Sequence, residues 1–184
     1  MVLDERHELV GRGHAERLIP MIAELPEGGR AARIVVDCGP GSFTGIRVGI
    51  AAARALALGW NVRAAGFSSL PLVAAAGFAA QPALSELAVV LEGGHGEVFM
   101  QCFERCSGPI GAFASLKPDA ALAALDGRVA IGNGVRHLAA LDADLAVHEA
   151  LPRAADAALL DPTLTMLPPS PIYGRAPDAK PLMQ

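Results

Sequence analysis

Aromatic residues make up only 4% of this 184-residue chain and charged residues 18%, against 52% hydrophobic residues. The core is therefore expected from Ala, Leu, Val and Ile, in a folded chain of one domain or two small ones rather than a disordered one. A disulfide framework has no basis: the three cysteines, Cys38, Cys102 and Cys106, are odd in number and lack zinc spacing, which suits a reducing cytoplasm. Basic excess is also missing. Fifteen Lys plus Arg against nineteen Asp plus Glu leave a net charge of −4, which argues against a protein that grips phosphate backbones unaided. The longest apolar stretch, Leu70 to Ala80, is broken by Pro71 and Gly77 and is too short to cross a bilayer. Asp4, Glu5 and Arg6 follow the start directly, so no signal-peptide pattern is read there, and no internal repeat is found.

Catalytic motifs are scarce as well. The histidines are His7, His14, His95, His137 and His148, with no pair at i+3 or i+4 spacing and no H-E-x-x-H, so metalloprotease ligands are lacking. Ser42 follows Gly41 directly, which is not the G-x-S-x-G elbow of a hydrolase. Glu92, His95 and Glu97 surround a predicted hairpin turn and read most simply as a solvated turn. Asp37 ends a predicted strand beside a glycine loop. A carboxylate there either helps hold Mg²⁺ near a phosphate or makes hydrogen bonds within the turn.

What is present is an alternation of strand and helix patterns. Val2 to Val10 reads as a short polar strand. A helix follows from near His14, with Leu18, Met21, Ile22 and Leu25 on one face and Pro20 predicting a kink or a late start. Ile34 to Val36 reads as a buried strand leading into Gly39-Pro40-Gly41-Ser42-Phe43-Thr44-Gly45, then a helix to Leu58 closed by Gly59. Val62 to Phe67 reads as a strand, with Ser68-Ser69 capping a helix to about Gly77. This order predicts an α/β unit with a parallel strand pair. After Gln81-Pro82 the pattern changes to a hairpin, Leu87–Glu92 and Glu97–Glu104 around Gly93-Gly94-His95-Gly96. A helix over Pro118–Leu125, a strand at Val129–Ile131, a Gly132-Asn133-Gly134 turn and weaker helices at Val135–Leu141 and Arg153–Leu160 complete a smaller α/β piece. The Pro-rich run around Pro168 and Pro169 reads as a connector.

The glycine loop gives G-x-G-x-x-x-G, one residue longer than the dinucleotide fingerprint, and no Gly-Lys-Ser/Thr follows it. It reads equally as an anion-facing helix N-terminus or as a tight structural turn. In the helix behind it, Gly45, Gly49, Ala53 and Ala57 recur every four residues beside Ile46 and Ile50. Such a ridge allows close approach of another helix, either within the chain or from a partner, and the His14–Leu25 face is its natural companion.

The run Gly39-Pro40-Gly41-Ser42-Phe43-Thr44-Gly45-Ile46-Arg47-Val48-Gly49 resembles the hallmark segment of the TsaB (YeaZ) family. His14–Ile22, Gly96–Phe99 and Pro171–Lys180 fall in that family's order too, so the likeness spans nearly the whole chain. The resemblance implies an actin-like ATPase (ASKHA) α/β fold of two small related subdomains, here over residues 1–82, with the dimerisation helices, and 83–184. It implies a non-catalytic subunit that pairs with a TsaD-like transferase to make N6-threonylcarbamoyladenosine at position 37 of tRNA, with a TsaE-like ATPase completing the complex. ATP, Mg²⁺ and metal then belong to the partner subunits, and tRNA is met only indirectly. The family's pairing through its first two helices places His14, Leu18, Met21, Ile22, Ile46, Gly49, Ile50 and Ala53 at the interface, which without the partner can form a C2 homodimer. The family's opening strands have no counterpart before Val2, so the first subdomain is expected to lack its N-terminal strands, through a start assigned too late or a chain that folds poorly. The competing expectation is a stand-alone actin-like nucleotide-binding enzyme or a glycoprotease-like (M22-type) hydrolase using the loop at Gly39–Gly45.

Overall fold

Two short apolar runs, each too small to form a sheet alone, pair first. In this computed structural model, which describes residues 1–11 and 13–175, β1 (Arg33–Asp37) and β2 (Arg63–Phe67) lie parallel from Arg33 opposite Arg63 to Asp37 opposite Phe67. The crossover between them is α2 (Phe43–Trp60), whose Ile46, Ile50, Ala53 and Ala57 are buried. Helix α1 (His14–Ala23) lies against α2. It starts at His14 despite Pro20, which sits inside it. The helix end expected at Gly59 is extended to Trp60, because Asn61 takes the left-handed capping conformation and Val62 donates to the Ala57 carbonyl at 2.9 Å.

The second sheet has the order β5-β4-β3-β6-β7. Its members are β3 (Glu86–Gly94), β4 (Glu97–Glu104), β5 (Gly108–Leu116), β6 (Ala130–Ile131) and β7 (Val147–His148). The β3–β4 hairpin is antiparallel, whereas β6 joins β3 in parallel. Helices α4 (Pro118–Ala124) and α5 (Val135–Ala139) bury Ala121, Val135 and Leu138 against one face. Helix α3 (Ser69–Ala80) covers the other, packing Leu70, Val73, Ala74 and Phe78 against Leu87, Val89, Leu91 and Phe99. On its other side Leu72 meets Phe67 and Leu160 beside β2. One apolar helix is thus shared by both sheets.

Three expectations change here. Val2–Val10 forms no strand, because its charged middle is tied by side chains instead of a ladder: Glu5 pairs with Arg153 at 2.8 Å, and Glu8 and Glu24 both pair with Arg17. Strands β5 and β7 were not anticipated. The first carries Gly108, Pro109 and Gly111 and no alternation, and it forms by pairing with β4 across a bulge between Met100 and Cys102. The region expected as a helix over Arg153–Leu160 is a 3-10 turn, Ala154–Leu159.

The Pro-rich run is a strap rather than a free connector. Leu167 and Gly66 exchange backbone hydrogen bonds at 2.7 and 3.1 Å, and Ile172 donates to the Cys38 carbonyl at 2.7 Å. A Cβ on Gly66 would lie against Cys38 Sγ and 3.0 Å from the Pro168 carbonyl oxygen, so this crossing requires glycine. Of the matched stretch Pro171–Lys180, residues from Ala176 onward lie outside the described residues.

Candidate functional site

The glycine loop satisfies part of its polar groups within the fold. Gly39, at φ +98°, donates its N–H to Asp37 Oδ1 at 2.8 Å, and its carbonyl accepts from Ser68 Oγ at 2.9 Å and Ser69 N at 3.0 Å. Ser42 caps α2 by accepting from Gly45 N at 3.3 Å. Pro40 is buried and Thr44 exposed, and a Cβ added at Gly41 would meet the Ile46 Cδ1 methyl at an ordinary 3.9 Å. These bonds fix Gly39 and the first turn of α2, and both the structural-turn and the anion-facing readings of the loop fit them. Ser68 was expected to cap α3, but its hydroxyl goes to Gly39 instead.

Asp37 is the hub of this turn. Besides Gly39 it accepts from Ser69 Oγ at 2.7 and 2.9 Å, and burial pushes its carboxyl above the ordinary value of 3.8 in spite of those bonds. A raised folded-state pKa means that the folded chain holds this proton more tightly than the unfolded one. Its contribution is then fully present at low pH and is lost as pH rises from about 3.8 through the raised value. Asp37→Asn, which can keep both contacts, is expected to flatten that part of the pH profile and to be at least as stable as the natural chain at neutral pH, as read by urea unfolding across pH.

A cleft of about 1050 Å³ lies between this loop and the second sheet, lined by Asp37, Ser42, Phe43, Glu92, His95 and Asn133 among others. The predicted cluster does not converge in it. Glu92 is taken by Arg136 at 2.8 Å, and Glu97 by Ser115 Oγ at 2.6 Å and Arg175 at 3.7 Å. His95 sits on the turn itself at φ +53°. Among the described residues, no three His, Cys, Asp or Glu side chains gather as metal ligands, and no helix is long and apolar enough to cross a membrane.

The helix pair gives a second surface. No residue of α1 is buried, and His14, Leu18, Met21 and Ile22 are half-buried. His14, Arg17, Leu18 and Met21 border a hollow of about 240 Å³ with Gly45, Val48 and Gly49 of α2. His14 Nδ1 lies 3.2 Å from the Gly11 carbonyl, and its Nε2 is buried without a hydrogen-bond partner. The expected interface residues of α2 divide differently. Ile46, Ile50 and Ala53 are only 9%, 4% and 5% exposed, the two isoleucines packed on Val36, Cys38 and Ile172. They point into the chain's own core, where α2 covers β1. The outward residues lie on nearly the opposite side of the helix: Thr44, Ala51, Ala55 and the half-buried Val48. Sequence spacing marked the small-residue ridge but gave no sign of which side of it the sheet would take.

Comparison with known proteins now bears on this geometry. The family model described as "TsaD: tRNA N6-adenosine threonylcarbamoyltransferase" matches residues 7–122. The chain is 32% identical over 192 residues to Uncharacterized protein Rv3421c of Mycobacterium tuberculosis, covering 99% of this chain and 84% of that protein. It is also 32% identical over 103 residues to the tRNA threonylcarbamoyladenosine biosynthesis protein TsaB of Escherichia coli, covering 53% of this chain and 44% of that protein. A crystal structure from Pseudomonas aeruginosa, of a protein with similarity to peptidase YEAZ, superposes with a TM-score of 0.73 at 26% identity, over 92% of this chain and 88% of that one. The mixed α/β fold is thus that of the actin-like ATPase class, and the chain belongs to the TsaD family as a TsaB-like, YeaZ-like member.

Proposed function

We propose that this chain is a non-catalytic, TsaB-like subunit that binds a TsaD-type transferase and supports N6-threonylcarbamoylation of adenosine 37 in tRNA. The observation that carries this reading is the outer face of α1 and α2. There Ile19 is 47% exposed, and Thr44, Ala51 and Ala55 present small side chains beside the half-buried Leu18, Ile22 and Val48. Two such helices admit two more in close packing, which is the geometry of a four-helix bundle. The loop bonds already described support a scaffold role, since they hold the N-terminus of α2 in place. ATP, Mg²⁺ and metal are assigned to the partners, among them a TsaE-like ATPase, and the subdomain boundary is placed after residue 82. Without the transferase the same face supports a C2 homodimer. The setting proposed is the cytoplasm.

Co-purification with the TsaD-type protein of the same genome, followed by light scattering, tests the reading. A one-to-one complex is expected, together with restored modified adenosine in a strain depleted of its own TsaB. Absence of any complex would overturn the proposal.

The cleft of about 1050 Å³ favours one second reading, a stand-alone nucleotide-binding enzyme of the actin-like class or an M22-type hydrolase. Nucleotide or peptide turnover by the purified chain without partners would establish it.

A further inference from the structure

One side of α2 faces neither α1 nor the core. Phe43, Arg47 and Arg54 lie on it as one stripe, at spacings of four and seven residues, and all three are exposed. Two helical turns place the Cα atoms of Arg47 and Arg54 about 10 Å apart along the axis. The aromatic content of this protein is small, yet two of its rings meet here in the open. Phe43 is 57% and Tyr173 47% exposed, with ring centroids 5.7 Å apart. Arg47 lies flat over Phe43, 3.7 Å from the ring centre, and donates to Tyr173 Oη at 3.0 and 2.9 Å. Among the described residues, the hydrogen-bond contact of Arg54 is Ser170 Oγ, at 3.5 Å. Charge is uneven along the chain as well. From Gly28 to Ser85 the sequence holds Arg30, Arg33, Arg47, Arg54 and Arg63, and Asp37 as its only acid, in a chain whose net charge is −4. That acid is tucked under the loop, so no carboxylate of α2 competes for the arginines.

We propose that this stripe is an RNA-contact surface, on which bases of unpaired nucleotides stack against the exposed Tyr173 ring and the Arg47 guanidinium plane that covers Phe43, while Arg54 meets a phosphate. The inference rests on the reading of the chain as a tRNA-modification subunit and deepens it, because it gives this subunit a direct contact with the tRNA. An acidic protein segment would satisfy the guanidinium groups and leave the exposed Tyr173 ring unused. An unstacked base beside its phosphate uses both kinds of group at once. The stripe lies on the side of α2 away from α1 and borders the outward Thr44, Ala51 and Ala55. With two arginines it is a supporting contact that adds to those of the partner rather than a grip of its own.

The test measures binding of an unmodified tRNA anticodon stem-loop by fluorescence anisotropy, to the chain alone and to its complex with the TsaD-type protein, for the natural chain and for Phe43→Leu with Arg54→Gln. Arg47 is spared because it secures Tyr173. The double variant is expected to lose about tenfold in affinity or more, with the slope of log affinity against log salt reduced by about one. Ultraviolet cross-linking of the natural chain is expected to map to Tyr173. Unchanged affinity and slope with no such cross-link would overturn the proposal, as would variant-sensitive binding of poly-glutamate without binding of RNA. A chain that joins the transferase normally yet shows no RNA effect loses this surface and keeps the proposed function. A chain that cross-links through Tyr173 yet never joins the transferase keeps the surface and loses that function.

Discussion

Ala51→Glu together with Ala55→Glu is expected to abolish pairing with the TsaD-type protein while leaving the chain folded. Both positions are exposed on α2, so in the free chain the new carboxylates sit in water and unfolding should shift by no more than about 0.5 kcal/mol per site. Within a packed four-helix interface the same groups lose water without gaining a partner. An uncompensated buried charge costs about 3–5 kcal/mol, and about 1.4 kcal/mol is tenfold in affinity. The loss is therefore at least a hundredfold, visible as a missing complex peak in light scattering. Ile50→Glu is not an equivalent probe, although its place on the small-residue helix would suggest it. Ile50 is packed with Cys38, Ile46, Val36 and Ile172, so that change is expected to unfold the first sheet and to abolish binding for an uninformative reason. A complex that survives the two alanine changes would show that the docking face lies elsewhere.

Gly132→Ala is expected to be the most damaging single methyl group in the second half. Gly132 sits at φ +138°, and a Cβ there would press on the carbonyl carbon and oxygen of Val90, which are backbone atoms of the central strand β3. A flexible side chain could move aside, but a paired strand cannot. Gly134 is tight to a lesser degree, with Leu91 backbone atoms 2.8 and 2.9 Å from its Cβ position, and Asn133 between them accepts from Glu92 N at 3.0 Å. Strain of this kind, with the parallel β3–β6 pairing disturbed, is worth about 3 kcal/mol. For a chain of this size that lowers the melting temperature by roughly 6–12 °C. A variant that melts within a degree or two of the natural chain would mean that the β3–β6 crossing is looser than the geometry requires.

Much of the architecture could be read from local chemistry. The parallel pair β1–β2 followed from two apolar runs separated by a helix long enough to cross over. The β3–β4 hairpin followed from a glycine turn between matching strands, and Gly132-Asn133-Gly134 was recognisable as a turn. What escaped was decided by distant partners. Strand β5 carries no alternation of its own and exists because β4 offers an edge. Residues 2–10 have a strand-like outline but are fixed by Arg17 and Arg153 through side chains. The candidate site shows the same division. The loop from Gly39 to Gly45 stood out at once, yet its internal bonding depends on Ser68 and Ser69, which only the fold brings under it. That Ile46, Ile50 and Ala53 pack into the chain's own core was not legible, because a helix with apolar or small residues on most sides has no periodicity that names its buried face. The Phe43, Arg47 and Tyr173 contact joins residues 126 positions apart, and no local pattern announces it.

That same distance governs the order in which the molecule can assemble. The hairpin and its neighbours β3, β4 and β5 are consecutive, so they close through short loops soon after synthesis. The parallel pair β1–β2 acquires its outer bonds from Thr165, Leu167, Pro168 and Ile172, with the Arg33 to Thr165 bond spanning 132 residues. Loops that long form slowly relative to local ones. During translation, the older half of the chain must therefore wait for the younger half before its sheet is sealed. In that interval the edges of β1 and β2 and the apolar underside of α2 are open to chaperones and to mispairing. Ribosome-bound chains halted before the strap emerges should show protected amides in β3 and β4 while those of β1 and β2 still exchange freely.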